Sequence, residues 1–191
     1  MRWATAISVA LLLALGAYAG SAAASLDRLV RALQSEDAAA VMSRTDLPRL
    51  KKSLVDQIVA AYLNRIGQKR AVKPLERLAA NTYGASLADV IVGKLLTPER
   101  LTELLNSGKV SLDGSYVGGM GQFSQVAPSK LLETAKRIRL VNPVEFSLQL
   151  GSGQDAGGIG LHFEGDGWKL SGIQLPSEVL DTLSRHLPAP G

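Results

Sequence analysis

The chain opens with a long run of apolar residues. From Trp3 to Ala24 it contains no charged residue, and the centre of the run, Ala6 to Leu15, has a single polar member. As a helix this stretch would span about 33 Å, which is enough to cross the hydrocarbon layer of a bilayer. Arg2 supplies a positive start, which favours an orientation with the remaining chain outside the cytoplasm. The pattern predicts an export signal or a membrane anchor.

Two short patterns of small residues in this run resemble sites for signal peptidase. They are Ala17-Tyr18-Ala19 and Ala22-Ala23-Ala24. The residues from Ser25 onward, however, continue directly in a helical pattern, and the run is long for a cleaved signal. We therefore expect a periplasmic protein that residues 3–24 tether to the inner membrane or that signal peptidase releases, and the pattern slightly favours the tether.

The middle of the chain has its apolar residues at helical spacing, between clear start and stop signals. Asp37 and Asp46 are each placed to cap a helix, because a carboxylate there accepts a hydrogen bond from a free backbone N–H. Thr97 does the same before Pro98, and Gly108 ends that helix. The predicted helices carry the following apolar positions: Leu26, Leu29, Val30 and Leu33; Leu47, Leu50, Leu54, Ile58, Ala61, Tyr62 and Ile66; Leu87, Val90, Ile91 and Leu95; and Leu101, Leu104 and Leu105.

The segment from Gly67 to Gly84 has the weakest pattern in the helical part of the chain. It contains four basic residues around Pro74. We interpret it as a basic loop or a short helix.

The last third of the chain alternates between apolar and polar residues, which indicates half-buried strands. Two such strands flank a glycine-rich loop, so they should form an antiparallel hairpin. The alternation slips in the third strand, Trp168 to Leu175, and Gly172 at the slip predicts a bulge. An Asp166-Gly167 turn precedes this strand, Pro176 ends it, a short amphipathic helix follows, and Val110 to Phe123 is a further candidate strand. The alternating positions are Val144, Phe146, Leu148 and Leu150, and then Ile159, Leu161 and Phe163.

Helices first and strands last are typical of an α+β domain. We expect an N-terminal hydrophobic helix, several helices on one face of a C-terminal antiparallel sheet, and a short C-terminal helix, as in cystatin-like or nuclear-transport-factor-like domains. Residues 1–24 would be the signal or anchor, and residues 25–191 a single domain. The helical part of that domain is residues 25–109, and the sheet part is residues 110–191.

Composition narrows the chemistry. Apolar residues make up 46% of the chain and charged residues 20%, so it should fold, and the absence of cysteine excludes disulfides, thiolate metal sites and cysteine nucleophiles. The net charge is +4, with the basic excess in the helical part and an acidic excess after residue 140. A basic surface attracts anionic lipid, although a solvated helix surface explains it equally simply. Nucleic acid is disfavoured, because exposed aromatic residues are not interleaved with the basic ones.

Three local patterns resemble functional motifs. Gly151 to Ala156 has the form G-x-G-x-x-A, but a strand follows it instead of a helix, so we interpret it as a hairpin loop. The glycine cluster from Gly114 to Phe123 lacks the lysine of a phosphate-binding loop, and we interpret it as a flexible loop. His162 and Glu164 share one strand face, where acid–base chemistry and a plain polar surface are both open. We predict no catalytic, metal-binding or cofactor-binding residue, no cofactor, and no enzymatic activity.

Four segments together give the chain a family resemblance: Leu29 to Ala40, Asp46 to Leu54, Leu96 to Leu101, and Trp168 to Pro176. Following an N-terminal apolar anchor in this order, they resemble the bacterial domain-of-unknown-function family 2939. The resemblance implies a short protein with an N-terminal hydrophobic segment and no assigned activity, so it transfers no functional residue.

These observations favour a non-enzymatic exported or membrane-anchored domain. We expect it to bind a cell-envelope protein or the membrane surface through its basic helical face. The alternative is a module for a small apolar ligand, held in a pocket between the sheet and the helices with the Gly114 to Gly121 loop as a lid. The oligomeric state does not follow from the sequence.

Overall fold

The computed structural model describes residues 2–68, 71, 73–123, 126, 136–151, 153, 155–165 and 167–187. The helices are α1 (Arg2–Gln34), α2 (Ala38–Ser43), α3 (Leu47–Gly67), α4 (Pro74–Ala79), α5 (Ala85–Leu95), α6 (Pro98–Ser107) and α7 (Ser177–Ser184). A π-helical turn, Ala80–Gly84, joins α4 to α5. The strands are β1 (Lys109–Leu112), β2 (Ser115–Gly119), β3 (Ile138–Asn142), β4 (Glu145–Gln149), β5 (Gly158–Glu164) and β6 (Gly167–Gln174).

The predicted α+β class is confirmed. Strands β3 to β6 form one antiparallel sheet in the order β3-β4-β5-β6, and β1 pairs with β2 in a separate hairpin. Helices α1 and α3 pack against β6, and α7 packs against α3 and β2. The core lies between these helices and the sheet, and its fully buried members include Leu33, Leu54, Ile58, Ile159, Leu161 and Leu170.

The predicted helix starts are confirmed by their capping bonds. The carboxylate of Asp37 accepts the backbone N–H of Ala40 at 2.9 Å, and that of Asp46 accepts the N–H of Arg49 at 3.1 Å. Each bond satisfies a donor that a helix leaves free in its first turn. Thr97 caps α6 in the same way. The starts of three helices were therefore predictable from these capping residues.

The predicted hairpin and bulge are also present. Strands β4 and β5 pair in the antiparallel sense, and the register between β5 and β6 shifts after Gly160. Gly160 faces Gly172 and Leu161 faces Leu170, so Ser171 is the extra residue. The bulge keeps Leu170 and Ile173 both buried, although they are three positions apart in sequence. Of the predicted turn before β6, Asp166 lies outside the described residues.

Hydrogen bonds connect the outer edge of strand β6 to the helical layer. The N–H of Asp46 donates to the carbonyl of Leu170 at 2.8 Å, and the N–H of Leu170 donates to the carbonyl of Arg44 at 2.8 Å. Further along, the Gln57 amide of α3 donates to the carbonyl of Ile173 at 2.8 Å and accepts the N–H of Leu175 at 3.1 Å. One edge of the sheet is therefore closed.

Two predictions about the middle of the chain were incomplete. In α5, Leu87 and Val90 are exposed, whereas Ala88 and Val92 are fully buried. Small side chains face inward because α5 packs closely on α3.

The segment before α5 is helical, because it forms α4 and the π turn. The candidate strand after Val110 is a hairpin of two strands.

Helix α6 ends at a glycine that no other residue replaces easily. Gly108 has a left-handed backbone with φ of 71°, and its carbonyl accepts the N–H of Met120 at 2.7 Å. A Cβ at this position would overlap the carbonyl oxygen of Met120. Gly108 therefore sets both the end of α6 and the close approach of the segment after β2.

Candidate functional site

The apolar run forms the first half of α1, which we call the leader (residues 2–17). Every leader side chain that the structure describes is exposed, including Trp3 at 85% and Leu13 at 69%. The second half of the same helix packs inward, with Leu29 and Leu33 almost fully buried. Counting only the residues it describes, which omits several leader side chains, the structure contains no helix long and apolar enough to cross a membrane. One unbroken helix thus joins an exposed apolar segment to the domain core.

Where the leader meets the domain, four residues form a cluster that we call the junction: Tyr18, Ser21, Pro143 and Trp168. The indole N–H of Trp168 donates to the Ser21 hydroxyl at 3.2 Å. The Tyr18 ring meets the Trp168 ring edge-on, with 5.2 Å between centroids, and the Tyr18 hydroxyl donates to the carbonyl of Pro143. The domain therefore holds α1 at residues that precede the second signal-peptidase pattern. The sequence did not predict this cluster. Its only indication in the sequence was two isolated aromatic residues, Tyr18 and Trp168.

The proposed pair of His162 and Glu164 does not come together. Glu164 forms an ion pair with Lys169 at 3.2 Å. His162 stands between Glu145 and Lys169 on neighbouring strands, and its Nδ1 is buried with no hydrogen-bond partner among the described residues. Within the described part of the chain, no group of three or more His, Cys, Asp or Glu side chains is placed to hold a metal ion. The arrangement offers no positioned acid–base pair at this strand face.

The loop from Gly151 to Ala156 joins β4 to β5, as expected of a hairpin loop, and also serves a helix elsewhere. Residues 152 and 154 lie outside the described residues. The carboxylate of Asp155 accepts both the backbone N–H of Ser177 at 2.8 Å and its hydroxyl. These bonds stabilise the charged carboxylate, so they lower the pKa of Asp155 from its ordinary value. The loop therefore caps the start of α7, a role that its glycine pattern did not indicate.

The second glycine cluster is more ordered than the predicted flexible loop. Its residues 115–119 form strand β2, and Phe123 is fully buried. A Cβ on Gly118 would collide with Val179 of α7, so the strand lies directly on that helix. This close packing does not suit the proposed lid.

Two pockets that described residues line lie outside the space between the four-stranded sheet and the helices. The first, of about 350 Å³, lies between the end of α1 and α6, and the second, of about 300 Å³, lies between α6 and β1. Carboxylates of Glu36, Glu99 and Glu103 line the first pocket. Such a lining does not suit the apolar ligand of the alternative hypothesis.

Several basic residues of the helical part form ion pairs. Lys52 pairs with Asp56 at 2.8 Å within α3, and Lys51 pairs with Asp89 of α5 at 2.8 Å. The Lys94 ammonium donates to Asp113 at 2.9 Å, and this bond lowers the pKa of that carboxyl. Pairs of this kind are solvated and individually weak, and they leave the net positive charge of the helical part unchanged.

The family model described as "Protein of unknown function (DUF2939)" matches residues 11–104. The chain is a member of this family. The DUF2939 match covers part of the leader, the Tyr18 and Ser21 side of the junction, and the chain as far as α6. No curated protein and no solved structure matches the chain.

Within the DUF2939 match, α4, the π turn and α5 carry an exposed apolar stripe, which we call the helical face: Leu75, Leu78, Tyr83, Leu87 and Val90. Tyr83 and Leu75 are 75% and 79% exposed. Residues three and four apart share one side of an α-helix, and a π turn contains about one more residue than an α turn. The π turn therefore keeps Leu78 and Tyr83, five positions apart, on about the same side. The five exposed apolar side chains therefore lie on about the same side of α4, the π turn and α5, and the first three belong to the segment predicted as a basic loop or short helix.

Proposed function

We propose that this protein is an exported, inner-membrane-anchored domain without catalytic activity, and that it binds a cell-envelope protein through the helical face. The observation that carries the proposal is the two-part character of α1. Every leader residue whose exposure is described is exposed, and all of these except Ser8 and Gly16 carry apolar side chains, while the second half of α1 is part of the core. Apolar side chains exposed all round a helix are unfavourable in water and suit lipid.

The junction supports a leader that stays attached. Cleavage after Ala24 would remove Tyr18 and Ser21, and with them the partners of Trp168 and Pro143. The Trp168 indole N–H would then lose its acceptor on a residue that is 4% exposed. Retention of the leader avoids this loss.

The helical face supports a protein partner. A group of five exposed apolar side chains on the outside of a domain is typical of an interaction surface. Helix-against-helix docking of a partner would bury these five side chains.

Cell fractionation with N-terminal sequencing tests the anchor. We expect the full chain in the membrane fraction, resistant to high-salt extraction, open to external protease in spheroplasts, and with its N-terminus before Ala17. Leu12→Arg combined with Leu13→Arg should lose this association, and Arg28→Glu, on the exposed side of the other half of α1, should keep it. Recovery of the unaltered chain in the cytosol would contradict the proposal.

Crosslinking in membranes tests the partner. A photoreactive group at Leu87 should give a discrete adduct with another protein. Leu78→Ser with Tyr83→Ser should abolish that adduct, and Tyr116→Ser, at an equally exposed aromatic residue on β2, should not. An adduct that survives the double substitution would show that the helical face is not the docking surface.

A further inference from the structure

The free edge of the sheet has the properties of a lipid-binding surface. All five residues of β3 are exposed, and within the described part of the chain β3 pairs only with β4. Leu140 is 67% exposed and Val141 is 60% exposed, and Ile138 and Val144 extend the same apolar region. We call the segment from Lys136 to Val144 the β3 edge.

The charges of the β3 edge differ from those of the helices. Lys136, Arg137 and Arg139 are exposed, and none of them forms an ion pair with another described residue. Arg139 lies on β3 between Ile138 and Leu140, and Arg137 directly precedes the strand. Unpaired cations beside exposed apolar side chains are the composition that binds an anionic bilayer surface.

The junction places this edge beside the leader. The Tyr18 hydroxyl of α1 is bonded to the carbonyl of Pro143, in the turn between β3 and β4. Val141 and Val144 flank that turn. The tip of the β3 edge therefore lies at the point where α1 emerges from the domain.

The length of the leader then sets the depth of the edge. From Trp3, next to the charged Arg2, to Ala17, the last residue before the junction, α1 rises by about 22 Å. The hydrocarbon layer of a bilayer is about 30 Å thick. Because the leader is about 8 Å shorter than this layer, it can reach across only if the turn containing Tyr18 enters the near boundary of the lipid, and the β3 edge then moves with it.

We propose that the β3 edge is a second membrane-binding element, which inserts Leu140 and Val141 at the lipid boundary and places Lys136, Arg137 and Arg139 among anionic headgroups. This inference rests on the proposed membrane anchor. It names the bilayer itself as the occupant of this surface and assigns the domain a fixed face toward the membrane.

Single-cysteine labelling of the full chain in vesicles tests the inference, because the natural sequence has no cysteine. An environment-sensitive fluorophore is placed at Ile7 in the leader, at Leu140 in the β3 edge, or at Val90 on α5, which packs against α3 and β1. The vesicles contain phosphatidylethanolamine and phosphatidylglycerol, with brominated acyl chains as the quencher. We expect a large loss of fluorescence at Ile7 and Leu140, and none at Val90.

The three labels separate the two proposals. Quenching at Ile7 without quenching at Leu140 would overturn the inference about the β3 edge and leave the anchor intact. No quenching at any position would contradict both. If Leu140 is shielded in native membranes but not in pure lipid vesicles, a protein covers this edge and the inference is wrong.

Charge reversal tests the role of the basic residues. Arg137→Glu with Arg139→Glu should reduce quenching at Leu140 and leave quenching at Ile7 unchanged. Arg77→Glu with Lys109→Glu, an equal charge reversal at exposed residues of α4 and β1, should leave the quenching at both labels unchanged. Equal quenching at Leu140 with and without phosphatidylglycerol would contradict the contribution of anionic lipid.

Discussion

The indole of Trp168, the first buried residue of β6, donates its N–H to the hydroxyl of Ser21 on α1, at 3.2 Å. The same ring receives the edge of Tyr18 on one side and packs against Phe146 at 4.9 Å. An aromatic pair contributes roughly 0.5–1.5 kcal/mol beyond its buried area, and a hydrogen bond contributes about as much. The last strand of the chain therefore stabilises the part of α1 nearest to the leader.

Truncation tests this contribution. A chain that begins at Ser25 should unfold at lower urea concentration than one that begins at Tyr18, with a loss of about 1–3 kcal/mol, because it lacks both partners of Trp168. Both variants lack the leader, so solubility does not separate them. Equal unfolding midpoints by tryptophan fluorescence would show that the junction does not stabilise the domain.

The Gln57 amide is the second specific link between helices and sheet. Gln57→Leu should lower the free energy of unfolding by about 1–3 kcal/mol, because the carbonyl of Ile173 and the N–H of Leu175 lose their partner. Urea unfolding followed by circular dichroism measures the change. The matched substitution Gln68→Leu, at the exposed end of α3, should stay within about 0.5 kcal/mol of the unaltered chain. If both variants behave alike, the bridge has no energetic role.

Gly108 and Gly114 allow steric overlap to be separated from backbone strain. Both have a positive φ, of 71° and 81°, but a Cβ on Gly114 meets nothing, whereas one on Gly108 overlaps the carbonyl of Met120. Gly114→Ala should cost about 1 kcal/mol from strain alone. Gly108→Ala should cost roughly 1–3 kcal/mol more, because the segment after β2 must move. A thermal-unfolding comparison in which Gly114→Ala is the more damaging change would contradict the observed contact.

Asp155 predicts an acid-sensitive contribution to stability. Its pKa is lowered in the folded chain by the two bonds from Ser177, so its contribution is present above the ordinary value of 3.8 and is lost as the pH falls through the folded value. Asp155→Asn should therefore be less stable than the unaltered chain at pH 7, and this difference should shrink at pH 3.

Urea unfolding at the two pH values measures this effect. Ser177→Ala should keep part of it, because the backbone N–H of residue 177 still donates to the carboxylate. A difference between the unaltered chain and Asp155→Asn that is the same at pH 7 and pH 3 would exclude this role.

Local chemistry made the elements of this fold predictable. Asp37, Asp46 and Thr97 cap the helices that they were expected to cap, because a side-chain oxygen at a helix start has one nearby set of donors to satisfy. The strand alternation and the bulge beside Gly172 followed from the two-residue period of a strand. These signals depend on residues a few positions apart.

Contacts between distant segments were not predictable in the same way. Nothing near Gln57 in sequence indicates that its amide will meet the backbone of Ile173, and nothing near Tyr18 indicates Trp168. The inward face of α5 was also missed in part, since Ala88 and Val92 are fully buried whereas Leu87 and Val90 are exposed. Which face turns inward depends on the shape of the partner, which periodicity does not contain.

Helix α1 runs from Arg2 to Gln34 without a hinge, a proline or a break in its backbone pattern. If the leader is fixed in a bilayer, the continuous helix therefore holds the domain at one distance from the membrane and at one tilt. The domain would then have no freedom to move away from the membrane, and any partner would have to approach along the membrane plane or carry its own flexible arm.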